Sequence, residues 1–215
     1  MIQEKNKKTL SPKLDVVFQA LFGEVGNERI TKAFLQEILK EKIDKIELNV
    51  NPILRRETIA ILITNEKIEK FEKLKYHTEW KIFEKENKKE ILTDKLEIHI
   101  IELEKIEENN QESNDKLLDW LYFLINPNSR RVKEKMEENK ELKEAKEKLD
   151  KITEDARMQQ LAWWREKAIY EENTRINSFY RKAKKEDAKK MKEEKIPTET
   201  IMRITGLKKE EIEKL

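Results

Sequence analysis

Leu96-Glu97-Ile98-His99-Ile100-Ile101-Glu102-Leu103 is the stretch on which the fold turns. Leu96, Ile98 and Ile100 alternate with Glu97 and His99, the period of two that a half-buried strand requires. Thr78 to Phe83 alternates in the same way, and the polar Lys85-to-Asp94 connection between the two runs predicts an antiparallel pair. Further back, Thr58 to Thr64 (TIAILIT) is a short continuous apolar run, which reads as a buried central strand. Ile43, Ile46, Leu48 and Val50 alternate in part and predict one more strand, closed by Asn51-Pro52.

The rest of the chain reads as helix. Ser11-Pro12 sets a capping hydroxyl beside a residue suited to a first helical turn, and Leu14, Val17, Phe18, Leu21 and Phe22 follow at helical spacing up to Gly23. A second helix fits Glu28 to Lys40, and Glu104 to Asn114 reads as a polar loop. Leu117, Leu118, Leu121, Leu124 and Ile125 form another stripe, ending at Asn126-Pro127. Leu142, Ala145, Leu149, Ile152 and Ala156 have the spacing of a helical-hairpin or coiled-coil seam. A long helix follows, in which Trp164 fits a core stripe, and Arg181 to Lys195 is almost purely charged. Pro197 to Ile212 reads as two short helices about a tight turn at Gly206.

Composition narrows the function. Forty-three per cent of the 215 residues are charged and 37% hydrophobic, so the core is modest and much of the chain is solvated helix. Lys and Arg number 47 against 45 acids, so any nucleic-acid contact must come from local patches rather than bulk charge. Without Cys there is no disulfide, thiolate site or Cys nucleophile; with only His77 and His99, a His-rich metal site is excluded too. No 18-residue apolar run or leader pattern is visible, so the chain reads as cytoplasmic, with no membrane partner.

Two blocks carry a resemblance. Leu10-Ser11-Pro12-Lys13-Leu14-Asp15-Val16-Val17-Phe18 runs on through Ile46, Asn51-Pro52 and Leu54 to Arg56 and Glu57. The second block joins Ile61 to Asn65, Tyr76-His77-Thr78 and Thr93-Asp94-Lys95-Leu96-Glu97-Ile98-His99 to the terminal Ile204-Thr205-Gly206-Leu207. Together they resemble the PD-(D/E)XK nuclease family transposases, also called the recombination-promoting nucleases; separately, the richness in Lys, Glu and Ile with only three Gly fits an AT-rich bacterial genome. The resemblance implies an α+β fold: a remnant of a restriction-endonuclease-like α/β core followed by a long α-helical C-terminal region. It divides into a nuclease-like domain over 1–126, a helical region over 127–191 and a helix-turn-helix-like tail over 192–215. It also implies a Mg²⁺-dependent DNA endonuclease linked to recombination or transposition, with Asp15 as its N-terminal catalytic acid.

The two blocks meet near Thr58, where the family's central block, with its Asp-bearing strand and Glu-x-Lys or Glu-x-Gln strand, is absent. Phosphodiester hydrolysis with Mg²⁺ needs two or more carboxylates on one or two hard cations, yet no acid stands between Glu57 and Glu66. The expectation is therefore a truncated, catalytically defective copy that does not hold Mg²⁺ tightly. A non-catalytic DNA-binding module or a helical self-association module is the alternative.

Other features have blander readings. Glu79-Trp80-Lys81 spells Glu-x-Lys but reads as a solvated strand face, and His77 and His99 as structural or surface histidines. The candidate DNA contacts are Arg181, Lys182, Lys184, Lys185, Lys208 and Lys209, although Glu210, Glu211 and Glu213 oppose them. The apolar Thr58-to-Thr64 run, stripped of a neighbouring hairpin, predicts self-association or marginal stability.

Overall fold

In a computed structural model, which describes residues 8–47, 58–87, 90–93, 96–109 and 115–215, the chain is mixed α+β. It clusters into two compact units, Met1–Gln160 and Leu161–Leu215.

The first unit is built on a three-stranded sheet, β1 (Thr58–Thr64), β2 (His77–Trp80) and β3 (Leu96–Glu102), in the order β1-β3-β2. β2 runs antiparallel to β3, as the alternation requires, with Glu79 opposite His99 and His77 opposite Ile101. An isolated bridge between Phe83 and Ile91 extends the hairpin. β1 pairs in parallel with β3. It is an edge strand and not the buried central strand its apolar run suggests; Ile59 and Leu62 are about half exposed. The central place belongs to β3, whose C-terminal end is buried on both faces at Ile101 and Glu102. An apolar run reports that a segment can be covered, not that a neighbour exists to cover it.

α1 (Asp15–Phe18) continues into one π-turn, Gln19–Gly23. Such a turn leaves carbonyls without regular helical partners. α2 (Glu28–Leu39) and the residue before it supply them: Thr31 Oγ1 donates to the Phe22 carbonyl at 2.6 Å and Asn27 Nδ2 to that of Ala20 at 3.0 Å. Phe22 then stacks on Phe34 at 5.0 Å, and Phe34 on Trp120 of α4 (Lys116–Ile125) at 5.5 Å, so the N-terminal motif is spent on core packing. Residues 41–47 are not a strand, since the half-buried Ile43 and Ile46 fall three apart rather than two. Leu48, Val50, Asn51-Pro52, Leu54, Arg56 and Glu57 lie outside the described residues.

The expected loop after β3 begins instead as a helix, α3 (Glu104–Asn109), anchored by the buried Ile106. α5 (Arg130–Glu138) and α6 (Lys140–Glu154) complete the unit, α6 packing on α2, α5 and the π-turn. Leu142, Ala145, Leu149 and Ile152 of the expected seam are buried here, inside the protomer. The seam stops at Asp155, whose carboxylate caps α7 (Ala156–Glu193) by accepting from the Arg157 and Met158 amides, and Ala156 is exposed.

In the second unit, α8 (Thr198–Thr205) and α9 (Lys209–Glu213) pack Ile201, Leu207 and Ile212 around Ala188, with Met191, Ile196, Met202 and Leu215 at the margin. Gly206 turns between them at φ +69°, where a side chain would be strained. Trp163 and Trp164 are each about half exposed, so the core role expected of Trp164 does not hold. Helical spacing supplies an apolar stripe, but a stripe is buried only where another element lies on it.

Candidate metal centre on the β2–β3 face

Pairing fixes which side chains meet. Glu97, His99 and Ile101 share one face of β3; His77 stands opposite Ile101 and Glu79 opposite His99 across the hairpin, and the Lys81 side chain reaches Glu97. On the other flank, β1 brings Ile59, Ile61 and Ile63 against the same three residues. The result is a polar cluster with an aliphatic wall.

The two histidines of the chain meet there. His77 Nε2 lies 2.9 Å from His99 Nδ1, and His99 Nε2 lies 2.7 Å from a Glu97 carboxylate oxygen. His99 is 1% exposed, so both its ring nitrogens must find partners inside the protein. Glu97 can only accept, which puts the His99 proton on Nε2 and leaves Nδ1 as the lone-pair nitrogen facing His77. The exposed Glu79 completes the group: one ligand atom each from His77, Glu79 and His99 fall within 4.8 Å of one another. Among the described residues this is the one cluster of three or more acid or imidazole groups close enough to share an ion.

Charges around it are organised. Burial pushes the Glu97 carboxyl up, but hydrogen bonds from Lys81 and His99 outweigh it and hold the group below its usual range. Lys81 Nζ is 3.3 Å from Glu97. Burial lowers the affinity of His77 for a proton, assisted by His99 and Lys40 and opposed by Glu79 and Asp115. Behind His77, Asp115 caps α4, takes Lys40 Nζ at 2.7 Å and accepts from the Tyr76 hydroxyl at 3.1 Å. Burial, with Asp115 next to it, pushes the Tyr76 phenol up to about 12.

Asp15 does not belong to the cluster. It is exposed at the start of α1, where its carboxylate accepts from the Val16 amide at 2.9 Å. A cleft of about 770 Å³ lies elsewhere in the first unit, with Arg29, Lys32, Lys116 and Lys135 balanced by four carboxylates. Of the candidate DNA contacts, Arg181 is ion-paired to Glu211, and Lys209 lies 3.8 Å from Glu213. Lys182, Lys184 and Lys208 are exposed and Lys185 half-buried.

Mg²⁺ does not fit the cluster. It demands near-octahedral oxygen ligands and keeps most of its water, whereas two of the three ligand atoms are imidazole nitrogens. The sequence excluded a His-rich site by counting, but register brings both imidazoles and a carboxylate together, a mixed set that could hold an ion. Glu79 was legible as half of a Glu-x-Lys strand, and its exposure fits the solvated reading, but nothing local tied it to His99.

Among known proteins, the family model of the PD-(D/E)XK nuclease family transposases matches residues 52–178, more than half of the chain. No curated protein and no solved structure gives a significant match.

Proposed function

The chain belongs to the PD-(D/E)XK nuclease family transposases, and from that premise we propose that it is a DNA-handling member without Mg²⁺-dependent endonuclease activity of its own. One observation carries the reading: β1, the parallel neighbour of β3, brings only Thr, Ala, Ile and Leu to the sheet. Hydrolysis by a hard cation requires carboxylates converging from adjacent strands, and at this flank the convergent residues are Ile59, Ile61 and Ile63. Asp15, the acid carried over from the family, stands apart on α1, and a single carboxylate holds Mg²⁺ weakly.

DNA, the substrate implied by the family, is met in this reading by Lys182, Lys184, Lys185 and Lys208, with Arg181 and Lys209 engaged by acids of their own unit. Its role is recombination or transposition, taken from the family, and its bacterial, cytoplasmic setting is read from the sequence; no described helix is long and apolar enough to cross a membrane. The three-part division at 126/127 and 191/192 is retained as a functional organisation, the tail being the piece to delete in DNA-binding tests. The edge of β1 that no described strand covers is the surface for self-association.

A second reading has its own support. Glu79-Trp80-Lys81 lies beside Glu97 on the neighbouring strand, with Lys81 Nζ 3.3 Å from the Glu97 carboxylate. An acid, a second acid and a lysine on one hairpin face are the groups a nuclease uses to hold a cation and steady developing charge.

Nicking of supercoiled plasmid by the full chain separates the two. With Mg²⁺ and a folded sample, the expected result is no nicking above the EDTA control. Nicking that disappears in EDTA and in Asp15→Ala overturns the proposal. Nicking that survives Asp15→Ala but disappears in Glu79→Gln and Lys81→Met overturns it in favour of the second reading.

A further inference from the structure

We propose that His77, Glu79 and His99 bind one divalent first-row transition ion of the Zn²⁺ class, which ties β2 to β3 and leaves one coordination position to solvent. The inference stands on geometry alone and is independent of whether the chain cuts DNA.

The donor set comes first. Two imidazoles and a carboxylate with a fourth position open are a recurrent zinc set, and imidazole nitrogen favours Zn²⁺, Co²⁺ or Ni²⁺ over Mg²⁺ or Ca²⁺. Spacing comes next. Two nitrogens each about 2.0–2.1 Å from a tetrahedral ion stand roughly 3.3 Å apart; His77 Nε2 and His99 Nδ1 are 2.9 Å apart. An ion therefore enters by opening that contact by a few tenths of an ångström and turning the two rings so that both lone pairs meet it.

The support around the ligands is already built. A metal-bound histidine commonly donates its other ring N–H to a carboxylate, which fixes the tautomer and aims the ligating nitrogen. Glu97 does this for His99 at 2.7 Å, and Lys81 holds Glu97 in turn at 3.3 Å. His99 Nδ1 is thus presented as a lone pair. Without metal it accepts from His77 Nε2–H; with metal the His77 proton moves to Nδ1 and Nε2 becomes the second ligand. Net protonation does not change. Glu79, opposite His99 in the register and exposed, gives the third ligand and the path of entry.

The bland alternative is a hydrogen-bonded histidine pair that only fills the sheet face. Titrating the metal-free full chain with Co²⁺, with Zn²⁺ as competitor, distinguishes them. The expected result is a visible ligand-field band that saturates at one ion per chain, is abolished by Zn²⁺ and persists in excess Mg²⁺. His77→Gln should lose the band. Glu97→Gln should weaken binding about 10- to 100-fold, the usual effect of removing a carboxylate behind a metal-bound histidine. Glu79→Gln, altered only at an exposed side chain, tests the same point where the others disturb folding, and should weaken binding by about tenfold or more. No band with the wild type, a band undiminished in His77→Gln and Glu79→Gln, or displacement by Mg²⁺ at equal concentration would overturn the proposal.

Discussion

Glu102 and Lys105 are the most informative pair to break. Glu102 is fully buried at the end of β3 and Lys105 nearly so in the first turn of α3. An ammonium has three donors, and all are committed: Lys105 Nζ donates to Glu102 Oε2 at 2.6 Å and to the carbonyls of Phe71 and Leu74 at 2.6 and 3.2 Å. The other Glu102 oxygen accepts from the Ile68 amide at 2.6 Å. Removing one partner leaves an uncompensated buried charge, which typically costs about 3–5 kcal/mol. That is a large share of the roughly 5–15 kcal/mol that holds a domain together, and at about 2–4 °C per kcal/mol it lowers Tm by roughly 6–20 °C. Removing both partners strands no charge, so Glu102→Gln/Lys105→Met should be less destabilised than the sum of its singles, by about 2 kcal/mol or more. Urea melts of the four proteins by circular dichroism measure this. Additive singles, or singles costing under about 1 kcal/mol, refute the reasoning.

Leu149→Ala should destabilise the first unit by about 2–5 kcal/mol in urea melts; a Leu149→Glu protein that melts normally and only changes sedimentation would show that α6 faces another protomer. Burial raises the Asp119 carboxyl above its ordinary 3.8 despite Lys135 and Arg131, so its ionisation opposes folding above that raised value and ceases to as pH falls through it. Asp119→Asn should therefore gain stability relative to wild type on going from pH 4 to pH 7, and a flat or reversed difference in paired melts would refute this. Tyr76 holds its proton up to about 12, so its contribution is complete below 10 and lost as pH rises from 10 towards 12. Subtracting the tyrosinate absorbance of Tyr76→Phe from wild type should isolate that late titration; a residue titrating near 10 would refute it.

Local pattern foretold local structure. The alternation of Leu96 to Leu103 and its hairpin with Thr78 and Trp80 are present in the fold, as are α2 and the turn at Gly206. What the sequence hid depends on distant partners. TIAILIT says nothing of how many strands flank it, and the stripe containing Trp164 says nothing of whether a helix covers it. The cluster of His77, Glu79 and His99 was hidden by register. His77 faces Ile101 and sits diagonal to His99 only because Glu79, not Glu97's partner Lys81, lies opposite His99, and a slip of one residue would send each side chain to the other face. No periodicity in the Lys85-to-Asp94 connection encodes that choice.

β2 and its lead-in are held to the rest of the first unit in an unusual way. No residue from Glu66 to Trp80 is fully buried; Phe71 against Trp80, at 4.8 Å, is the apolar contact that marks the segment. Several polar ties run to β3 and α3: Ile68 to Glu102, Lys67 to Glu104, Phe71 and Leu74 to Lys105, and Tyr76 through its carbonyl to the Glu102 amide. The Tyr76 hydroxyl reaches Asp115 at the start of α4. Segments attached by few apolar contacts open at the low end of the stability range. The histidine pair lies on the opposite face of β3 from Glu102, by the alternation of the strand. An ion shared by His77, Glu79 and His99 would fasten the same hairpin from the second side. Its stabilisation should thus be local, concentrated in β2, and distinct from that of the Glu102–Lys105 pair, which acts whether or not metal is present.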